Sequence, residues 1–255
     1  MEIIVFLIVL LATLLGSVTG MGGGIIIKPV LDAANLYPIA TVNLLSSITV
    51  LSMCVVSLAK GMRGGFKINT GMVCLSIGAA FGGLLGKNLF DLLTSKTADS
   101  GAKGFQAVLT LILLTIIFLR RYYPSLHVKN KLLLVTAGAA LGIVAAFLGI
   151  GGGPFNVVVI CMLFSISGKE AVLYALFTIF FSQTVSLSFT AMKGGFSGFD
   201  FAPLLYMVPA GVGGGFLGSA LHKKLSEKTS DKAFWFAVLL VTGITLFNIM
   251  KYVVL

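Results

Sequence analysis

The sequence predicts an all-α polytopic membrane protein made of two inverted repeats of five hydrophobic segments each. Three observations carry this. The 255 residues are 58% hydrophobic and only 10% charged, with a mean hydropathy of +1.08, more apolar surface than a soluble core of this length can hide. Two triple glycines interrupt apolar runs, in "GSVTGMGGGIIIKP" (Gly16 to Pro29) and "GIVAAFLGIGGGP" (Gly142 to Pro154), about 130 residues apart. Other short motifs recur at a matching offset.

The first segment, 3–19, approaches bilayer-spanning length. Signal peptides start with a basic region, whereas the only early charge here is Glu2 and no small-residue cleavage site follows, so a retained helix is expected. The second segment, 22–35, is short: about 21 Å as a helix, against a hydrocarbon core of roughly 30 Å. Segments at 38–60, 67–93 and 104–122 complete the first half. The second half repeats the order at 131–150, 152–167, 169–192, 199–224 and 232–252, and its second member is again short. Glycines thus interrupt each half at the junction of its first and second segments. The two repeats, 1–125 and 126–255, are expected to form one integrated membrane unit.

"MRGGF" (Met62 to Phe66) recurs as "MKGGF" (Met192 to Phe196), "GGLLG" (Gly82 to Gly86) as "GGFLG" (Gly214 to Gly218), and "LTSKTAD" (Leu93 to Asp99) as "LSEKTSD" (Leu225 to Asp231). With the triple glycines, four motifs stand in register, which indicates an internal duplication. Small-residue helix packing accounts for "GGLLG" and "GGFLG". If each short segment and its predecessor start and finish on one side, that side holds Lys60, Arg63, Lys67, Arg120, Arg121, Lys129, Lys131, Lys169, Lys223, Lys224, Lys228 and Lys232. The other side holds Lys96, Lys103, Lys193 and Lys251, with Lys28 and Lys87 inside the spans. The positive-inside rule favours this arrangement, which inverts one half relative to the other and places both termini outside. The net charge of +10 is then a topology signal, and nucleic acid is not an expected partner.

Interrupted helices at matching places in inverted repeats point to a transporter's binding site. Helix N-termini present unpaired N–H groups with partial positive charge, and glycine lets a ligand approach the backbone. Gly22, Gly23 and Gly24 precede one short helix, and Gly151, Gly152 and Gly153 precede the other, which Pro154 starts. The expectation is a central anion pocket at two helix N-termini, with tight helix packing as the alternative role of these glycines. Lys28 is a candidate substrate cation, or else an i,i+4 partner of Asp32. Asn43, Ser46 and Ser47 share a face of the third segment, near Thr49; Thr178, Ser182 and Gln183 stand at helical spacing in its repeat partner. With Asn156 they offer neutral donors for oxyanion oxygens, or for interhelical hydrogen bonds.

Cys54, Cys74 and Cys161 lie singly in apolar spans, as inert core residues do. His127 and His222 read as solvated residues of basic loops. No His-Glu-x-x-His, Ser-His-Asp or metal-ligand cluster occurs, and the triple glycines lack the Lys-Ser or Lys-Thr of a phosphate loop. Neither an enzyme nor an ATP-driven pump is expected, and no cofactor or metal.

"GMGGGIIIKPVL", its echo "GIGGGPFNVVVI" and the "MRGGF"/"MKGGF" pair resemble the TauE/SafE sulfite-exporter family, also called the 4-toluene sulfonate uptake permease family. The likeness covers nearly the whole chain. It implies transport of sulfite, sulfoacetate or other organosulfonates across a prokaryotic plasma membrane, with both export and uptake known in the family. The expected function is a secondary transporter of small sulfur-containing anions, read as an exporter working by alternating access. A passive anion channel and a sulfur-handling membrane protein acting through its cysteines are the alternatives. The expected partners are the anion and the lipid bilayer, and assembly as a homodimer is left open.

Overall fold

The computed structural model describes residues 2–119, 126–194, 196 and 199–254. Ten α-helices lie among them: α1 (Glu2–Thr19), α2 (Gly24–Ala34), α3 (Ile39–Arg63), α4 (Thr70–Lys96), α5 (Asp99–Phe118), α6 (Lys131–Leu148), α7 (Pro154–Phe164), α8 (Gly168–Met192), α9 (Leu204–Lys224) and α10 (Glu227–Ile249). A π-helical turn, Met250–Val254, continues α10. Eight helices are long and apolar enough to cross a membrane; α2 and α7 are the short ones. Arg120, Arg121 and Gly195, used in the charge and motif readings, lie outside the described residues.

Polar caps set several boundaries. Asn69, Asn130 and Ser226 accept from backbone N–H groups of the first turns of α4, α6 and α10, and Ser167 with Glu170 forms a reciprocal capping box on α8. These caps start α8 and α10 one and five residues before their hydrophobic runs at 169 and 232. The repeated "LTSKTAD" and "LSEKTSD" motifs form the α4–α5 and α9–α10 turns.

A Cβ built on Gly23 would lie 2.9 Å from Thr13 Cα. The short α2 therefore starts beside the middle of α1. At 11 residues it is about 16 Å long, and it runs back to the face where α1 begins. The segment leading into α6 pairs with the end of α7, through Leu126 N to Met162 O and Val128 N to Leu163 O, both at 2.8 Å. The short helix α7 likewise returns to the face where α6 begins. Both glycine junctions are thus helical hairpins that dip into the molecule, and both short helices are buried on almost every side.

Glycines bring the long helices together. Gly78, Gly82 and Gly86 of α4 lie against the backbone of α6 at Val135, Ala139 and Ile143, while Gly138 and Gly142 of α6 face Leu75 and Ala79 of α4. On α9, Gly214 and Gly218 pack on α1 at Leu10, Leu14 and Ser17, and Gly215 meets Met53 of α3. In each seam the two helices run the same way. Helices α3 and α8 oppose one another, with Gly61 against Leu173. The close pairings α1–α9, α3–α9 and α2–α10 become α6–α4, α8–α4 and α7–α5 when each helix is exchanged for the one at the same place in the order of the other half. Large apolar side chains such as Phe81, Leu85, Leu205, Phe216 and Phe247 remain exposed on the outer surface, as a lipid-facing surface requires.

Candidate substrate site

The two glycine loops meet at the centre. Gly22 (φ +74°) and Gly151 (φ +69°) occupy the left-handed region, so the same backbone turn precedes each short helix. A Cβ on Gly152 would lie 3.3 Å from Met21 O, and one on Gly22 would lie 3.9 Å from Gly151 O. Gly24 faces the carbonyl of Ile150, with Ser46 Oγ 2.9 Å from where its Cβ would stand. Gly23 O receives Ile26 N and Ile27 N at 3.1 and 3.0 Å, and Gly153 O receives Asn156 N at 3.1 Å. All six expected glycines are buried, with the starts of α2 and α7 beside the contact between their loops.

Around this crossing lie polar side chains with no hydrogen-bond partner among the described residues. They are both amide atoms of Asn43, Ser46 Oγ, Asn156 Oδ1, Ser182 Oγ and both amide atoms of Gln183, all on buried residues. Asn43 presses on Gly149 at the end of α6, and Ser182 on Gly83 of α4. An unmade hydrogen bond in a dry interior costs about 1–3 kcal/mol per group.

The other expected site residues divide. Thr178 is buried but returns its hydroxyl to Tyr174 O at 2.9 Å. Ser47 is only half-buried, turned partly away from Asn43 and Ser46. Lys28 is 3% exposed and bonds Asp32 Oδ2 at 2.5 Å; the ion pair expected as the alternative is the one that forms. Val50 and Ile179, 129 positions apart, cover both glycine loops: Val50 Cγ1 lies 2.9 Å from the Cβ position of Gly151, and Ile179 Cδ1 3.4 Å from that of Gly22.

A cavity of about 760 Å³ opens toward the ends of α1, α3 and α9 and the start of α8. Lys60, Arg63, Lys67, Lys169, His222 and Lys223 line it, with Glu170 as its one acid. At its floor Ser17 bonds Ser57 at 2.9 Å and Ser219 at 3.1 Å. Lys60 Nζ donates to Phe216 O at 3.1 Å and Lys169 Nζ to Leu225 O at 2.6 Å, where they satisfy backbone carbonyls. Leu176 and Val172 lead from this vestibule toward the loops, since Gly20 packs on Val172. Shifted by 129 positions, the half-buried Gly61, Leu173 and Tyr174 and the exposed Glu170 of the vestibule become Thr190, Leu44, Leu45 and Thr41, all buried.

A sequence model of the family described as sulfite exporter TauE/SafE matches residues 5–246. This chain belongs to that family. It is 28% identical over 258 aligned positions, covering 89% of this chain and 90% of the relative, to the probable membrane transporter protein YunE of Bacillus subtilis (strain 168). No solved structure matches it. The chain is a TauE/SafE membrane transporter with multiple membrane-spanning helices.

In this TauE/SafE protein the vestibule residues were not singled out from sequence as a site. Lys60, Lys169 and Lys223 carry a topology signal, and only folding shows that they converge. His222 departs from the loop reading: it sits in the last turn of α9, half-buried, with Nδ1 3.0 Å from Val18 O at the end of α1. There its ring meets a helix-terminal carbonyl that lacks an intrahelical partner.

Proposed function

We propose that the protein is a secondary transporter of small sulfur-containing anions such as sulfite, sulfoacetate or other organosulfonates, acting as an exporter. The observation that carries this is the group of unpartnered polar side chains around two abutting helix starts. Asn43, Ser46, Asn156, Ser182 and Gln183 supply neutral hydrogen-bonding groups, and the N-termini of α2 and α7 supply partial positive charge without a fixed cation. Such a site binds an oxyanion while letting it leave.

The mechanism is alternating access by two inverted halves, 1–125 and 126–255. Support comes from α3 and α8, at the same place in the two halves, which pack in opposite directions with Gly61 against Leu173 at one end and Val50 and Ile179 both on the glycine loops. Further support is the open vestibule at one end and the burial, at the other, of the counterparts of Gly61, Glu170, Leu173 and Tyr174 from its lining. The vestibule lies on the lysine-rich side, which the positive-inside rule assigns to the cytoplasm of a prokaryotic plasma membrane, with both termini outside. Its cations concentrate anions at the cytoplasmic mouth.

The test is flux of labelled sulfite and sulfoacetate into and out of sealed proteoliposomes, with an uncharged solute as control. Saturable movement of a sulfur anion, absent from empty liposomes, is expected. Flux that grows without saturation would instead identify a channel, and no movement of either anion would remove the anion-site reading.

A further inference from the structure

Behind the glycine crossing, away from the vestibule, is a second and much smaller void of about 20 Å³. Its wall comes from four helices and one glycine loop: Lys28 and Asp32 of α2, Gln106 of α5, Leu148 at the end of α6, Ile150, and Thr245 and Asn248 of α10. Four buried oxygens on lining residues have no partner among the described residues: Asp32 Oδ1, Gln106 Oε1, Thr245 Oγ1 and Asn248 Oδ1. The amide nitrogens beside two of them are already used. Gln106 Nε2 donates to Phe147 O at 2.5 Å, and Asn248 Nδ2 to Pro29 O at 2.9 Å. These bonds fix the two amides so that their oxygens are left over.

The charged neighbours do not fill the need. Lys103 spends its three N–H donors on Asn35 Oδ1, Tyr37 O and Asp99 Oδ2, at 2.9, 3.2 and 2.8 Å. Lys28 holds Asp32 Oδ2. At the end of α2, Tyr252 donates to Asp32 O at 2.5 Å and Lys251 to Ala33 O at 2.8 Å, so both point at backbone rather than carboxylate. Helices α1 and α3 also pack on α2. Glu2 is exposed at the start of α1, and Cys54, Lys60 and Arg63 occupy the far half of α3. Asp32 is therefore the only carboxylate among the residues lining the void, and it shares the void with two amide oxygens and the Thr245 hydroxyl.

We propose that Asp32 is a proton-binding site and that its proton crosses the membrane together with the substrate anion. The proton bonds to Oδ1, and the new O–H donates to one of the facing oxygens, while Lys28 keeps Oδ2. No bond between heavy atoms changes; the proton comes from water on one side and returns to water on the other. The Lys28–Asp32 pair is neutral when empty and carries one positive charge when protonated. Ile150 lines the void, and its carbonyl lies against Gly24 at the crossing. An anion at the glycine loops therefore favours proton uptake behind them, and by linkage the proton favours the anion. This rests on the anion-transport reading above and adds its coupling ion; a pH gradient acid outside drives the pair inward, so export then relies on the inside-negative potential acting on a dianion and on the inner excess of substrate.

The test uses the full-length protein in proteoliposomes, with labelled sulfoacetate, the voltage held at zero and a pH gradient imposed. One proton per anion drives accumulation toward about tenfold per pH unit, and an internal pH dye reports acidification only when substrate is present. Asp32→Asn is expected to keep counterflow between equal pools while its pH-driven accumulation falls to unity. Should D32N fail to fold, the charge-neutral double variant Lys28→Met/Asp32→Asn gives the same readout. Normal wild-type counterflow without pH-driven accumulation overturns the proton site and leaves the transporter reading standing. So does a D32N protein, or the double variant, that accumulates like wild type. Absence of any counterflow overturns both.

Discussion

One methyl group is enough to test the centre of the molecule. At Gly24 an added Cβ runs into the Ile150 carbonyl and comes within 2.9 Å of Ser46 Oγ, and the backbone partner cannot rotate away. Gly24→Ala is expected to reduce anion flux at least tenfold by parting the two loops. Gly243 of α10 has no atom within 4 Å of its Cβ position, so Gly243→Ala should leave flux at the wild-type rate. Equal loss in both variants, measured at matched amounts of reconstituted protein, would remove the crossing from the mechanism. At this scale the glycines, Asn43, Ser46 and Gln183 were legible because polar and small residues inside apolar spans are costly and conspicuous. Lys28 was legible only as a charge needing a partner. The sequence offered both substrate and Asp32, and an i,i+4 pair needs no distant element to form. Gln106 and Asn248 went unnoticed, each standing alone in an otherwise ordinary helix.

Helices α4 and α6 touch backbone to backbone because glycines alternate across the seam. Gly138 faces the Leu75 carbonyl, where no side chain has room to turn. Gly138→Val is expected to destabilise the folded protein by about 1–3 kcal/mol through overpacking, seen as a lower melting temperature in detergent. An unchanged melting temperature would mean that the seam is looser than its geometry states. Hydropathy located all ten helices, since nothing but an apolar run survives in lipid. It misplaced some ends, because Ser167 and Ser226 cap helices whose first turns are polar. It could not show that Lys60, Lys169 and Lys223 share one cavity, because residues so far apart in sequence come together only once α3, α8 and α9 have packed.

For the molecule as a whole, the two ends differ although the sequence repeats. Leu173 lines the open vestibule and is half-buried, while Leu44, 129 positions earlier, is 7% exposed. In a background with Cys54, Cys74 and Cys161 replaced by Ala, Leu173→Cys is expected to react with a charged thiol reagent from the lysine-rich side. Leu44→Cys should resist the reagent from the other side until substrate turnover exposes it. Labelling of both positions at rest, from their own sides, would describe a continuous pore and exclude alternation.

The cross-pairing of the two halves also bears on how the chain is made. The glycine face of α4 finds its partner only when α6 has been synthesised, and α1 waits for α9, whose first residue is Leu204. At about 5–20 residues per second, α1 spends on the order of ten seconds or more in the membrane before its neighbour exists. The first five helices thus enter the bilayer as an unfinished set, with polar Ser17 and Thr13 lacking their α9 contacts. The nascent chain must be shielded from premature partners and degradation until α9 arrives, in the last fifth of the sequence.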